Sequence, residues 1–130
     1  MTEREAPAQL LLGLLPGIGR GPRREGVFAL WLTLRVAQDF HLDPPLPERM
    51  VRKRITALAA RLSSLTLPAP LRRALNATVQ QLVNARPEDI PQILTQLVAP
   101  AREATGAEAA EALGHAAQAA RLRLRERMMN

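Results

Sequence analysis

Apolar residues along this chain recur every three or four positions in nearly every segment and nowhere alternate for long. That period belongs to amphipathic helices, not to strands. Val51, Ile55, Leu58, Leu62 and Leu65 step along one helix face, as do Leu71, Leu75, Val79 and Leu82. Ile90, Ile93, Leu94, Leu97 and Val98 form a shorter version. Ala110, Leu113, Ala117, Ala120 and Leu124 line a last helix whose small side chains let a neighbour approach closely.

Prolines, glycines and capping residues divide these segments. A first helix is predicted over Pro7–Leu15, broken by Pro16 through Pro22 from a second at Arg23–His41. Asp43-Pro44-Pro45-Leu46-Pro47 is a stiff connector, because each residue before a proline avoids the helical region. A third helix over Pro47–Leu65 and a fourth over Pro70–Ala85 are parted by Pro68 and Pro70. Asp89 and Thr105 are candidate N-caps, with Gln92 and Glu108 three residues on as capping-box partners. Pro100 is expected to end the fifth helix, and the sixth to run from Gly106 to Met128. The second helix, from Val27 to Phe40, is apolar nearly all round, so it is expected to be buried on most sides. It is either the central helix of the domain or the seam of an oligomer. The pattern predicts a single all-α domain over residues 1–130, a compact bundle of five or six short helices around a central apolar one.

Length and composition agree with that architecture. The chain has 130 residues, of which 47% are hydrophobic and 23% charged, ordinary values for one globular domain. It has no Cys, which excludes disulfides, a thiolate zinc site and a cysteine nucleophile. The beginning, Met1-Thr2-Glu3-Arg4-Glu5, is acidic where a secretory signal is basic. Val27–Val36 is interrupted by Arg35 and falls far below the ~20 residues of a membrane span. The expected location is the cytoplasm, with no membrane partner.

Charge changes the picture more. Eight of the nine charged residues between Pro44 and Arg86 are positive, against Glu48 alone, while the rest carries ten positive and eleven negative side chains. The middle third therefore accounts for the whole surplus of +6. Such a block favours an anionic partner. Arg49, Arg52 and Lys53 fall in the first turns of the third helix, and Arg72 and Arg73 in the first turn of the fourth. Positive charge there opposes the helix macrodipole at a cost of about 0.3–1 kcal/mol per exposed residue, which an anionic ligand would offset. On the third helix, Arg49, Arg52, Lys53 and Thr56 lie opposite the apolar line, with Arg54 and Arg61 flanking. Arg121, Arg123, Arg125 and Arg127 lie at the C-terminal end of the last helix, where the dipole favours them.

A second anion-binding candidate is the loop at Gly17, Gly19 and Gly21. Its backbone amides, the start of the second helix and the guanidiniums of Arg20, Arg23 and Arg24 together suit a phosphate or carboxylate. Leu15-Pro16-Gly17-Ile18-Gly19 resembles the hairpin of the helix-hairpin-helix DNA-binding motif over five residues. Arg23 stands where that family expects alanine, and Gly21-Pro22 delays the following helix. A Gly/Pro helix connector is the simpler reading.

Catalytic chemistry is poorly supplied, with no Tyr, no Cys, one Lys and two His. His41, beside Asp39 and Asp43, has the composition of a carboxylate–imidazole base, but a histidine also suits a helix C-terminus. His115 lies among small residues and resembles the histidine of a phosphotransfer domain over about seven residues. The lysine usual three positions later is Gln118, and Glu111 one turn earlier would repel a phosphate. It is taken as a solvent-facing helical histidine. No catalytic residue, metal site or cofactor is predicted. The leading expectation is a non-catalytic basic protein that binds a polyanion, DNA or RNA, through phosphates. Trp31, Phe28 and Phe40 are assigned to the buried helix and so are withheld from base stacking. The alternative is a helical adaptor or assembly subunit that binds another protein, through its basic face on an acidic surface or through its apolar seam. A homodimer is expected from the apolar second helix and the Ala-rich last one.

Overall fold

The computed structural model describes residues 6–129. They form six helices: α1 (Ala6–Leu14), α2 (Pro22–Gln38), α3 (Glu48–Ser63), α4 (Ala69–Val83), α5 (Ile90–Thr105) and α6 (Ala107–Met129). Short 3-10 turns follow α1 at Leu15–Gly17 and α2 at Asp39–His41, and another precedes α5 at Pro87–Asp89. The described residues contain no strand. None of their helices is long and apolar enough to cross a membrane.

The core is built around α2, which touches each of the other five helices. Val27, Leu30 and Leu34 are fully buried on it. Burying a side chain of this size contributes about 1.5–3 kcal/mol relative to leaving it exposed. The periodic stripes named above supply the other walls: Ile55, Leu58 and Leu62 from α3, Leu71, Leu75 and Leu82 from α4, Leu94 and Leu97 from α5. From α2 onward the chain runs up and down. Gly26, near the start of α2, faces Leu71 at the start of α4 and Thr105 at the end of α5. At the opposite end, the backbone just after α2 receives hydrogen bonds from the last turns of α6.

The tightest pair is α5 with α6, joined by Gly106 alone. Ala109, Ala110, Ala112, Ala116, Ala117 and Ala120 are all buried in α6. The small-residue face therefore serves close packing within one chain, and that ground for expecting a dimer is used inside the protomer.

Three local expectations are corrected. Pro100 lies inside α5 and does not end it. A proline removes the hydrogen bond to the carbonyl four residues back, but that residue, Gln96, is exposed and solvent can serve it. Thr105 is not the cap of α6: it is the last residue of α5, buried, with its hydroxyl donating to the Ala101 carbonyl at 2.6 Å. The reversal falls on Gly106 instead, at φ +107°, a conformation that favours glycine. Asp89 does precede α5 but makes no side-chain cap there; its carboxylate accepts from the Arg86 N–H at 2.9 Å. The helix α2 is buried on most sides, with one side left open. Phe28, Trp31, Leu32 and Val36 are only partly buried, along the side facing α3 and solvent.

Candidate polyanion interface

Two ends of the bundle carry the basic residues singled out by sequence. Arg20, Arg23, Arg24, Arg72 and Arg73 gather where α2 and α4 start. Arg49, Arg52 and Lys53 lie at the other end, where α3 starts. Sixteen residues of α3 separate the groups, about 24 Å at the helical rise. They do not form one continuous site.

The first group is largely engaged with the protein's own backbone. Arg23 Nε donates to the Thr105 carbonyl at 3.0 Å, closing the end of α5. Arg24 Nη1 donates to the carbonyls of Leu15 at 2.6 Å and Ile18 at 3.2 Å. Arg72 donates to Leu62, at 3.3 Å, and to Leu65, closing the end of α3. The final carbonyls of a helix lack intrahelical partners and carry the negative end of the dipole. A guanidinium there satisfies both. The glycine loop is thus arranged around Arg24 by its carbonyl oxygens, while Arg23 is turned toward α5. Arg20 and Arg73 are exposed.

The same device recurs at the far end. Arg123 Nη1 donates to the His41 carbonyl at 3.0 Å, and Arg127 Nη2 to those of His41 and Leu42 at 3.1 and 3.2 Å. The arginines of α6 therefore close the turn that follows α2, in addition to suiting their own helix terminus.

The start of α3 is arranged differently. Ile55, Leu58 and Leu62 point inward, and α3 packs mainly on α2 and α4. Arg49, Arg52, Lys53, Thr56 and Arg61 are exposed. Arg52 meets Glu48 at 2.8 Å, one turn back, with both side chains well solvated. Such a pair contributes about 0.3–0.5 kcal/mol and leaves guanidinium donors free for a ligand. The helix begins at Pro47 without a side-chain cap, so its first amides add to the positive potential. Glu48 is the one acidic residue on the helix.

Beside this surface Arg54 binds Asp39 with both carboxylate oxygens within reach of Nη1, at 3.0 and 3.1 Å. Arg61 lies over the Phe28 ring at 5.6 Å and Arg35 over Trp31 at 5.8 Å. The two rings stack with centroids 5.9 Å apart. The sequence-based assignment of these aromatics to a closed interior therefore needs revision, since Phe28, Trp31 and Phe40 all reach the surface in part. No pattern in the sequence marked this open side, because the second helix is apolar nearly all round.

His41 is buried in the turn after α2, and the Asp39 carboxylate beside it is engaged by Arg54. His115 is exposed and lines a shallow apolar groove between α1 and α6 with Leu10, Gln118 and Leu122. Among the described residues no three His, Asp or Glu side chains come together so as to hold a metal ion. Comparison with protein-family models, with curated proteins and with solved structures finds no match to this chain.

Proposed function

We propose that the protein is a non-catalytic nucleic-acid-binding module that holds DNA or RNA by its phosphates against the outer side of α3. The observation that carries this reading is the contrast between two kinds of arginine. Arg23, Arg24, Arg72, Arg123 and Arg127 bond to backbone carbonyls of the same chain. Arg49 and Lys53, with Arg52 one turn beyond Glu48, stand in solvent at an uncapped helix start. Their mutual repulsion and the helix dipole both raise the free energy of the unliganded surface, and a phosphate backbone relieves both. Arg20 and Arg73, at the other end of the bundle, are auxiliary phosphate contacts for a strand long enough to reach them.

The chemistry of the surface limits the kind of recognition. Arg and Lys bonded to phosphates position a nucleic acid without reading its bases. Phe28 and Trp31 lie under Arg61 and Arg35, and Phe40, the ring beside Glu48 and Arg52, is only partly exposed, so phosphate contacts rather than base stacking dominate the α3 contact. Affinity is therefore expected to vary little among unrelated sequences of equal length and to fall steeply with salt. Fluorescently labelled oligonucleotides of several sequences, titrated at increasing salt, test this directly. Comparable affinities that weaken together support the module; absence of binding at low salt, or one strongly preferred sequence, contradicts it.

A further inference from the structure

The side of α2 that faces α3 and solvent forms a second surface, independent of the phosphate contacts above. The helices run antiparallel, with Asp39 meeting Arg54 at one end and Phe28 meeting Arg61 at the other. Between them lies an open groove of about 340 Å³ with Leu32, Val36, Ala57 and Leu58 as its floor. Phe28 to Asp39 spans twelve residues, eleven steps of about 1.5 Å or about 16 Å, the length of three helical turns. Phe28, Trp31, Leu32 and Val36 are each partly exposed along this side of α2.

Charge identifies what fits. Three guanidiniums (Arg35, Arg54 and Arg61) border the groove against one carboxylate, Asp39, a balance of three minus one, or +2. Asp39 is bonded to Arg54. No carboxylate of the described residues forms an ion pair with Arg35 or Arg61, which instead lie over aromatic rings. We propose that this groove receives an acidic amphipathic helix of a partner protein, its apolar side chains on Leu32, Val36 and Leu58 and its carboxylates on Arg35 and Arg61. The helix-in-groove mode reads anchors at every third or fourth residue, and the groove offers a matching row. A second copy of this chain fits less well, because a two-fold contact would bring two positive grooves face to face. A nucleic acid would leave the aliphatic floor without a partner.

Trp31 is the sole tryptophan, and Arg35, which borders the groove, lies over its ring, so a change in its emission is the readout of binding. The probe is a synthetic sixteen-residue helix with Leu at every third or fourth position and Glu between. Its controls are the same peptide with Lys for Glu, and with Ala for Leu. The Leu/Glu peptide is expected to saturate a change in Trp31 emission. Combined Arg35→Glu and Arg61→Glu should weaken it about tenfold or more and should confer binding of the Leu/Lys peptide, a gain that a misfolded variant would not show. Arg49→Gln, Arg52→Gln and Lys53→Gln together should leave this binding within about threefold, since they touch only the neighbouring face. Four results would overturn the proposal. They are equal binding of the Leu/Lys peptide to the wild-type protein, undiminished binding of the Ala-for-Leu peptide, oligonucleotide binding lost in the Arg35/Arg61 variant, and a dimer in sedimentation that dissociates on Leu32→Glu.

Discussion

Arg72 donates to the carbonyls of Leu62 and Leu65, so its charge closes the end of α3 as well as standing at the start of α4. Hydrogen bonds from a charged donor to otherwise unpartnered carbonyls are worth about 1.5–3 kcal/mol where they are buried, and less here because Arg72 is half-exposed. Arg72→Ala should therefore lower the unfolding free energy by about 1–2 kcal/mol in urea denaturation. Its neighbour Arg73, exposed, should change it by no more than about 0.5 kcal/mol when replaced by Ala. Equal losses at the two positions would show that the carbonyl contacts of Arg72 carry no stability. His115 belongs with Arg73. It is exposed among small residues, and His115→Gln should leave stability and oligonucleotide binding near wild type. Acid-labile phosphate on His115, or lost binding in a folded variant, would contradict that.

At the scale of the elements, the start of α2 passes close to the end of α5 and the start of α4 at Gly26. A Cβ built on Gly26 would stand 2.8 Å from Thr105 Cγ2 and 3.1 Å from Leu71 Cδ2. Thr105 has no easy retreat, because its hydroxyl is bonded to the Ala101 carbonyl. Alanine would gain about 1 kcal/mol of helix propensity over glycine, but overpacking costs about 1–3 kcal/mol. Gly26→Ala is expected to be destabilising on balance. In a Thr105→Ser background, which keeps the hydroxyl and removes the methyl, the same change should recover most of that loss. A simple sum of the two single effects in thermal or urea unfolding would rule out the clash as the cause.

The helices themselves were legible in the sequence because α3 to α6 each carry a 3.6-residue apolar stripe, and the bounds of α1, α3 and α4 follow the prolines to within a residue or two. The end of α5 was not. A proline inside a helix is a local penalty, and the extensive packing of α5 on α6 outweighs it at an exposed turn. The junction then rests on Gly106, whose positive φ leaves no periodic trace. The candidate site was half legible. Arg49, Arg52 and Lys53 lie on the solvent side of α3 as their spacing requires. The roles of Arg23, Arg24 and Arg72 were hidden because their acceptors are main-chain carbonyls, which every residue has and no sequence pattern marks. The partly open side of α2 was hidden for a related reason: a helix apolar all round gives no clue to which side its neighbours leave uncovered.

For the whole molecule, the basic surplus divides into two functions of arginine. Guanidiniums reaching across from a second helix or from later in the chain close the ends of α3 and α5 and the turns after α1 and α2, which binds the bundle's short helices to one another. What remains on the outer side of α3 is a positive surface, and its phosphate-binding role is the central claim. The most direct measurement compares the salt dependence of oligonucleotide affinity for the wild-type protein and for the combined Arg49→Gln, Arg52→Gln, Lys53→Gln variant. Each phosphate contact contributes a slope of about 0.9 on duplex DNA in a plot of log affinity against log salt. The variant should remain folded, bind more weakly at low salt, and show a slope shallower by about two to three. A folded variant with unchanged affinity and unchanged slope would contradict the account.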